Sequence, residues 1–262
     1  MSDSTSSHFK DSHPAIIGIV GGVGPLAGLD LQAKIIDQTI AARDQDHLPV
    51  LMISRPGDIP DRTEFLLGRE PLNPAYPILD QLQLLAMMGA RVAGIPCNTA
   101  HAPAIFDVIR ASVAAFPRPL RLLHMIAETA DHVASRYSGL RTLGVLSTTG
   151  TWQTGIYPGI LEPRGLQIIV PDDALQATVH AAVYDPDHGI KSRGRVSDQA
   201  RSDLVQAVKS LRSRGAEAII LGCTEMPLAF PKKNFEELPL IDPTLVLARA
   251  LIREQAPAQL KE

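Results

Sequence analysis

Ile17-Gly18-Ile19-Val20-Gly21-Gly22 and Leu143-Gly144-Val145-Leu146-Ser147-Thr148 follow one local pattern, an apolar run with glycine in second place that ends in small or polar residues. The pairing recurs downstream, where Gly89-Ala90-Arg91 runs to Cys97-Asn98-Thr99 and Gly215-Ala216-Glu217 runs to Cys223-Thr224-Glu225. Gly18 to Cys97 and Gly144 to Cys223 are both 79 residues apart (97 − 18 and 223 − 144). Such a repeat predicts two lobes of one topology, each placing a cysteine just past an equivalent strand.

Working outward, short unalternating apolar runs bounded by Gly or Pro suit strands buried on both faces. They are Ala15-Ile16-Ile17-Gly18-Ile19-Val20, Pro49-Val50-Leu51-Met52-Ile53, Ala90-Arg91-Val92-Ala93-Gly94-Ile95 and Leu120-Arg121-Leu122-Leu123, then 143–146, 166–170 and 218–221. Helical stretches at 26–42, 78–88, 102–115, 197–214 and 245–254 alternate with them. That order predicts an α/β fold of two pseudo-symmetric lobes, each a parallel sheet flanked by helices, with right-handed crossovers. We expect a first lobe of 15–117 plus 225–262, a second of 118–224, and a disordered tail at 1–14. Since ligands of α/β folds bind beyond the carboxyl ends of strands, facing lobes would direct both thiols into one interlobe cleft, the expected active site.

With 262 residues, 45% hydrophobic and 20% charged, the chain can form one large domain or two small ones. Its formal charge of −3, with both signs dispersed, recommends neither nucleic acid nor an anionic membrane as partner. No apolar run approaches a membrane span, and the opening MSDSTSSHFKDSHP lacks the hydrophobic region of a signal peptide, so we expect a cytoplasmic location.

Two cysteines make no disulfide framework, and each alone reads first as a small buried hydrophobe. Their surroundings change that reading. Each ends a buried strand and opens a turn of capping residues, where a helix N-terminus would stabilise a thiolate. Neither has a second metal ligand at the usual spacing, and Cys-x-x-Cys is absent, so no metal and no redox couple is expected. Two thiols on opposite sides of one carbon could remove a proton from one face and deliver another to the opposite face, inverting the centre without a cofactor.

Gly21-Gly22-Val23-Gly24-Pro25, Arg43-Asp44-Gln45-Asp46-His47, Ile59-Pro60-Asp61-Arg62-Thr63, Pro96-Cys97-Asn98-Thr99-Ala100-His101 and Leu221-Gly222-Cys223-Thr224-Glu225 closely resemble the aspartate/glutamate racemase family, in its aspartate racemase branch. The resemblance runs from about Ile17 to about Asp242. It implies pyridoxal-phosphate-independent chemistry, two pseudo-symmetric domains, a homodimer, an acidic amino acid as substrate, and Cys97 and Cys223 as the two bases. It also implies that Asn98, Thr99 and Thr224 hold the substrate α-carboxylate, that Val23 and Gly24 belong to the substrate-facing loop, and that Arg62 and Lys191 bind carboxylate. Val23 stands where the branch usually has methionine. Glutamate racemases usually open with Asp-Ser-Gly and carry histidine after the second Cys-Thr; here Gly21-Gly22-Val23 and Glu225 stand instead, favouring the aspartate branch.

Other residues carry two readings. Gly22-Val23-Gly24-Pro25-Leu26-Ala27 fits the loose dinucleotide pattern, but Asp44 and Asp46 precede the second strand instead of ending it, which speaks against nucleotide binding. His101 reads as a structural hydrogen-bonding residue or as a partner tuning the Cys97 region. Glu225 reads as a helix N-terminal charge or as an orienter of the site. Trp152 and Met87-Met88 read as packing residues. The leading expectation is racemisation of aspartate before glutamate. Its rivals are a related two-cysteine isomerase, such as a maleate isomerase or hydantoin racemase, and a non-catalytic binder of a small dicarboxylate.

Overall fold

The computed structural model describes residues 16–262 apart from Pro231, so the expected tail at 1–14 lies outside the described residues. The chain first lays down β1 (Ile16–Gly21), α1 (Pro25–Gln38), β2 (Val50–Ser54), α2 (Arg62–Leu66), α3 (Ala75–Met87), β3 (Ala90–Gly94), α4 (Pro103–Val113) and β4 (Arg121–Leu122). It continues with α5 (Met125–Arg136), β5 (Thr142–Ser147), α6 (Thr149–Gln153), α7 (Ile156–Leu161), β6 (Gln167–Ile169), α8 (Asp173–Tyr184), α9 (Ile190–Arg193) and α10 (Asp198–Ser213). β7 (Ala218–Gly222), β8 (Asn234–Phe235), β9 (Leu238–Ile241) and α11 (Pro243–Gln255) complete it.

These strands form two sheets, ordered β2-β1-β3-β4 and β6-β5-β7-β9-β8, parallel throughout except for the β8–β9 hairpin. The repeat seen in the sequence is a repeat of register. Ile17 and Gly18 lie opposite Val92 and Ala93, while Leu143 and Gly144 lie opposite Ala218 and Ile219. A Cβ on Gly144 would come within 2.5 Å of the Ile219 side chain, so glycine there permits the close packing of that layer.

Each sheet is covered on both faces, which is why its strands read as continuous apolar runs. α3 and α4 bury one face of the first sheet, and α1 and α11 the other. On the second sheet, α8 and α10 cover one face and α5 and α7 the other. α10 shows the logic: Ala200, Leu204, Ala207, Val208 and Leu211 form its buried stripe, and the Ser197 hydroxyl accepts the Ala200 N–H at 3.1 Å to cap its start.

The helices following the last parallel strands change lobes. α5 leaves β4 and packs on the second sheet, whereas α11 leaves β9 and packs on the first, seating Leu247 and Leu251 against Gly94. The expected boundaries need correction accordingly. Hydrogen bonding to β3 puts β4 in the first lobe although it lies beyond 117, and pairing with β7 puts β9, and with it β8, in the second lobe although both lie beyond 224. Among the described residues, no helix is long and apolar enough to cross a membrane.

Candidate active site between the lobes

The site gathers at the carboxyl ends of β3 and β7. Cys97 and Cys223, both buried, line one small cavity together with Val23, Arg62, Asn98, Thr99, Lys191, Thr224 and Glu225. Thr63, Thr148, Tyr184 and Gly222 also line it and were not singled out from the sequence. Gly24 and His101 stand behind the wall. Gly24 caps α1 with φ 137°, a conformation that favours glycine, and a Cβ there would lie 3.4 Å from Glu225 Oε1.

Arg62 is held in place from both ends of a short segment. The Asp61 carboxylate accepts the Thr63 and Glu64 N–H groups at 2.7 and 3.0 Å, which starts α2 at Arg62. The Arg62 guanidinium donates to Val23 O at 2.9 Å and Pro60 O at 3.2 Å, and it faces the Cys97 sulfur. Its Nε is buried without a partner. Asn98 is in a similar condition, since the Tyr157 hydroxyl from α7 donates to Oδ1 at 2.6 Å and Nδ2 is left buried and unpaired. Buried polar atoms are ordinarily satisfied, so these are donors held ready for an acceptor the protein does not supply.

The lobes touch beside these donors. Thr99 and Thr151 hydroxyls are 2.9 Å apart, and Gly150 of α6 packs so tightly on α2 that a Cβ would fall 2.8 Å from Thr63 Oγ1. Across the cavity, Lys191 Nζ lies 3.3 Å from Glu225 Oε1 and 5.0 Å from the centre of the Tyr184 ring. Burial pushes the Tyr184 phenol up to about 12, against the pull of Lys191.

His101 answers its two readings by its bonds. Its Nε2 accepts the Met125 N–H at 3.2 Å, which leaves Nδ1–H to donate to Cys97 O at 2.8 Å, and its ring stacks on Phe106 with centroids 4.9 Å apart. Burial and the neighbouring His124 bring its pKa down to about 3, so it is a neutral brace for the Cys97 backbone.

The expectation that a helix N-terminus stabilises both thiolates fails at Cys223. Only a short 3-10 turn, Met226–Ala229, follows that cysteine, too brief for a macrodipole, and a carboxylate occupies the position where a helix end was expected. The Cys223 thiol donates to Glu225 Oε2 at 2.9 Å, and burial followed by that carboxylate raises the thiol well above its ordinary range. A longer helix does follow Cys97, but one 3-10 turn, Thr99–His101, intervenes before α4.

Fold and site together define a class: bilobal α/β proteins that bring one thiol from each lobe to a shared, donor-lined cavity. The chain belongs to the Asp/Glu/Hydantoin racemase family, whose model matches residues 20–251. It is 30% identical in sequence to a Picrophilus torridus aspartate racemase structure, with a TM-score of 0.73 over 92% of this chain and 94% of that one. It is 26% identical to the broad specificity amino-acid racemase RacX of Bacillus subtilis over 90% of this chain and 96% of RacX. A Francisella tularensis glutamate racemase in complex with D-glutamate shares the fold, with a TM-score of 0.64 at 16% identity over 95% of this chain and 84% of that one.

Proposed function

We propose that this protein racemises an acidic amino acid, aspartate first and glutamate next, by proton transfer between Cys97, Cys223 and the substrate α-carbon, with no cofactor. The observation that carries this reading is the delivery of one thiol from each of two register-equivalent strands to a cavity whose wall holds the unpaired donors Arg62 Nε and Asn98 Nδ2.

In this mechanism the thiolate of one cysteine takes the α-proton, and the C–H electron pair passes into the α-carboxylate as an enolate. The thiol opposite gives its proton to the other face of the carbon, which inverts the centre and leaves the two sulfurs with exchanged protonation. The difficult step places charge on the carboxylate, so donors aimed there lower the barrier. Asn98, Thr99 and Thr224 are assigned to the α-carboxylate. Arg62, and Lys191 opposite it, are assigned to the distal carboxylate that distinguishes an acidic amino acid from an apolar one.

The test is proton NMR of L-aspartate in D₂O with reduced protein and no added cofactor, followed by chiral analysis. Loss of the α-proton signal with appearance of D-aspartate is the expected result. Absence of exchange with both aspartate and glutamate overturns the reading and makes maleate the next compound to try.

A further inference from the structure

The two cysteines share a register but not an electrical setting. Cys223 Sγ and Glu225 Oε2 lie 2.9 Å apart, a distance at which two full negative charges repel strongly, so the pair holds one proton. The surrounding bonds decide where that proton rests. Glu225 also accepts the Thr224 hydroxyl at 3.0 Å and has Lys191 Nζ at 3.3 Å, both of which favour its ionised form. The remaining titratable groups that face Cys223 are the phenols Tyr157 from α7 and Tyr184 from α8, both kept neutral by burial. At Cys97, Arg62 from α2 faces the sulfur, Lys191 adds a more distant positive charge, and the adjacent His101 is neutral.

We propose that Glu225 is a positioning residue that keeps Cys223 protonated in the resting protein. On the racemase reading, on which its use in turnover rests, the free site is thereby set to give a proton on the Cys223 side. The directions of ionisation agree with the geometry: burial and Glu225 raise the Cys223 thiol, and Lys191 with the hydrogen bonds from Cys223 and Thr224 brings Glu225 below the usual carboxylate range despite burial. The asymmetry cannot be read from kcat/KM. Two enantiomers have equal free energy, so kcat/KM must match in both directions whatever the resting protonation. It has to be read from the thiols themselves.

Only two cysteines are present, so Cys97→Ser and Cys223→Ser each leave a single thiol whose thiolate ultraviolet absorbance can be titrated without substrate. We expect Cys223, the thiol left in the Cys97→Ser protein, to ionise above the range of an ordinary thiol. Adding Glu225→Gln to the Cys97→Ser protein should lower the Cys223 midpoint by at least about one pH unit, a tenfold rise in thiolate at a given pH. Glu225→Asp should preserve the high Cys223 midpoint. A Cys223 midpoint in the ordinary thiol range overturns the proposal without any Glu225 variant, as does one that Glu225→Gln leaves unmoved. The aspartate exchange assay on the unaltered protein reports separately on the racemase reading, so failure of one is not failure of the other.

Discussion

Past β3 the chain reads Pro96-Cys97-Asn98-Thr99, and past β7 it reads Gly222-Cys223-Thr224-Glu225. The strands are register-equivalent, yet the first turn receives its charge from an arginine on α2 and the second carries a carboxylate of its own. The difference separates two kinds of information. Duplicated strand pairing fixes where two thiols stand, while the nearest turn and helix ends fix which charged groups each of them faces.

The hardest test of that comparison is removal of either sulfur. Cys97→Ala and Cys223→Ala should each lower racemisation by about a thousandfold or more, since each deletes a general acid and base. A remaining thiolate can still remove an α-proton and return a deuteron to the same face, so α-proton exchange without inversion should survive in the better-poised variant, measured by NMR in D₂O with chiral analysis. Next is Arg62→Lys, which keeps the charge but loses the fork donating to Val23 O and Pro60 O; a fall of roughly 10- to 100-fold in kcat/KM for aspartate is expected. Tyr157→Phe frees the Asn98 amide to rotate and should cost about tenfold in kcat/KM through one lost hydrogen bond, with little change in Tm.

The smallest effect concerns pH and the Cys97 side alone. His101 is neutral in the folded protein down to about pH 3, against 6.5 for the unperturbed group. Between those values the unfolded chain binds a proton that the folded one refuses, so folding stability falls as pH drops through that window. Tm should therefore decline from pH 6.5 downward, and His101→Gln should flatten that decline. An unchanged slope would show that His101 is not the group being charged.

Much of the fold was legible because buried parallel strands write themselves as unbroken apolar runs, and the repeated Gly18 and Gly144 marked the register directly. β9 was not, because Leu238-Pro239-Leu240-Ile241 carries a proline inside the strand, placed where Pro239 lies opposite Asn234 of the short β8. α5 was also missed: Met125, Ile126, Ala130 and Val133 form its stripe, but the helix begins on His124, whose Nδ1 caps Ala127 N–H at 3.2 Å in place of a more usual capping residue. In the site, motif residues were readable because chemistry and turn propensity coincide there. Tyr157 and Tyr184 were not, since the first reaches Asn98 and the second the cavity from helices whose sequence carries no sign of what lies across the lobe boundary.

The exchange of helices between lobes has a consequence for synthesis. α11 supplies Leu247 and Leu251 to the first sheet, but the ribosome makes it only after the whole second lobe. Until then α1 alone covers that side of the layer over Ile17, Ile19 and Val92, so the amino-terminal half emerges with an apolar surface that the carboxyl-terminal helix has still to close. Ribosome-bound chains stalled before residue 243 should therefore expose that surface to chaperones, and the released 262-residue chain should not.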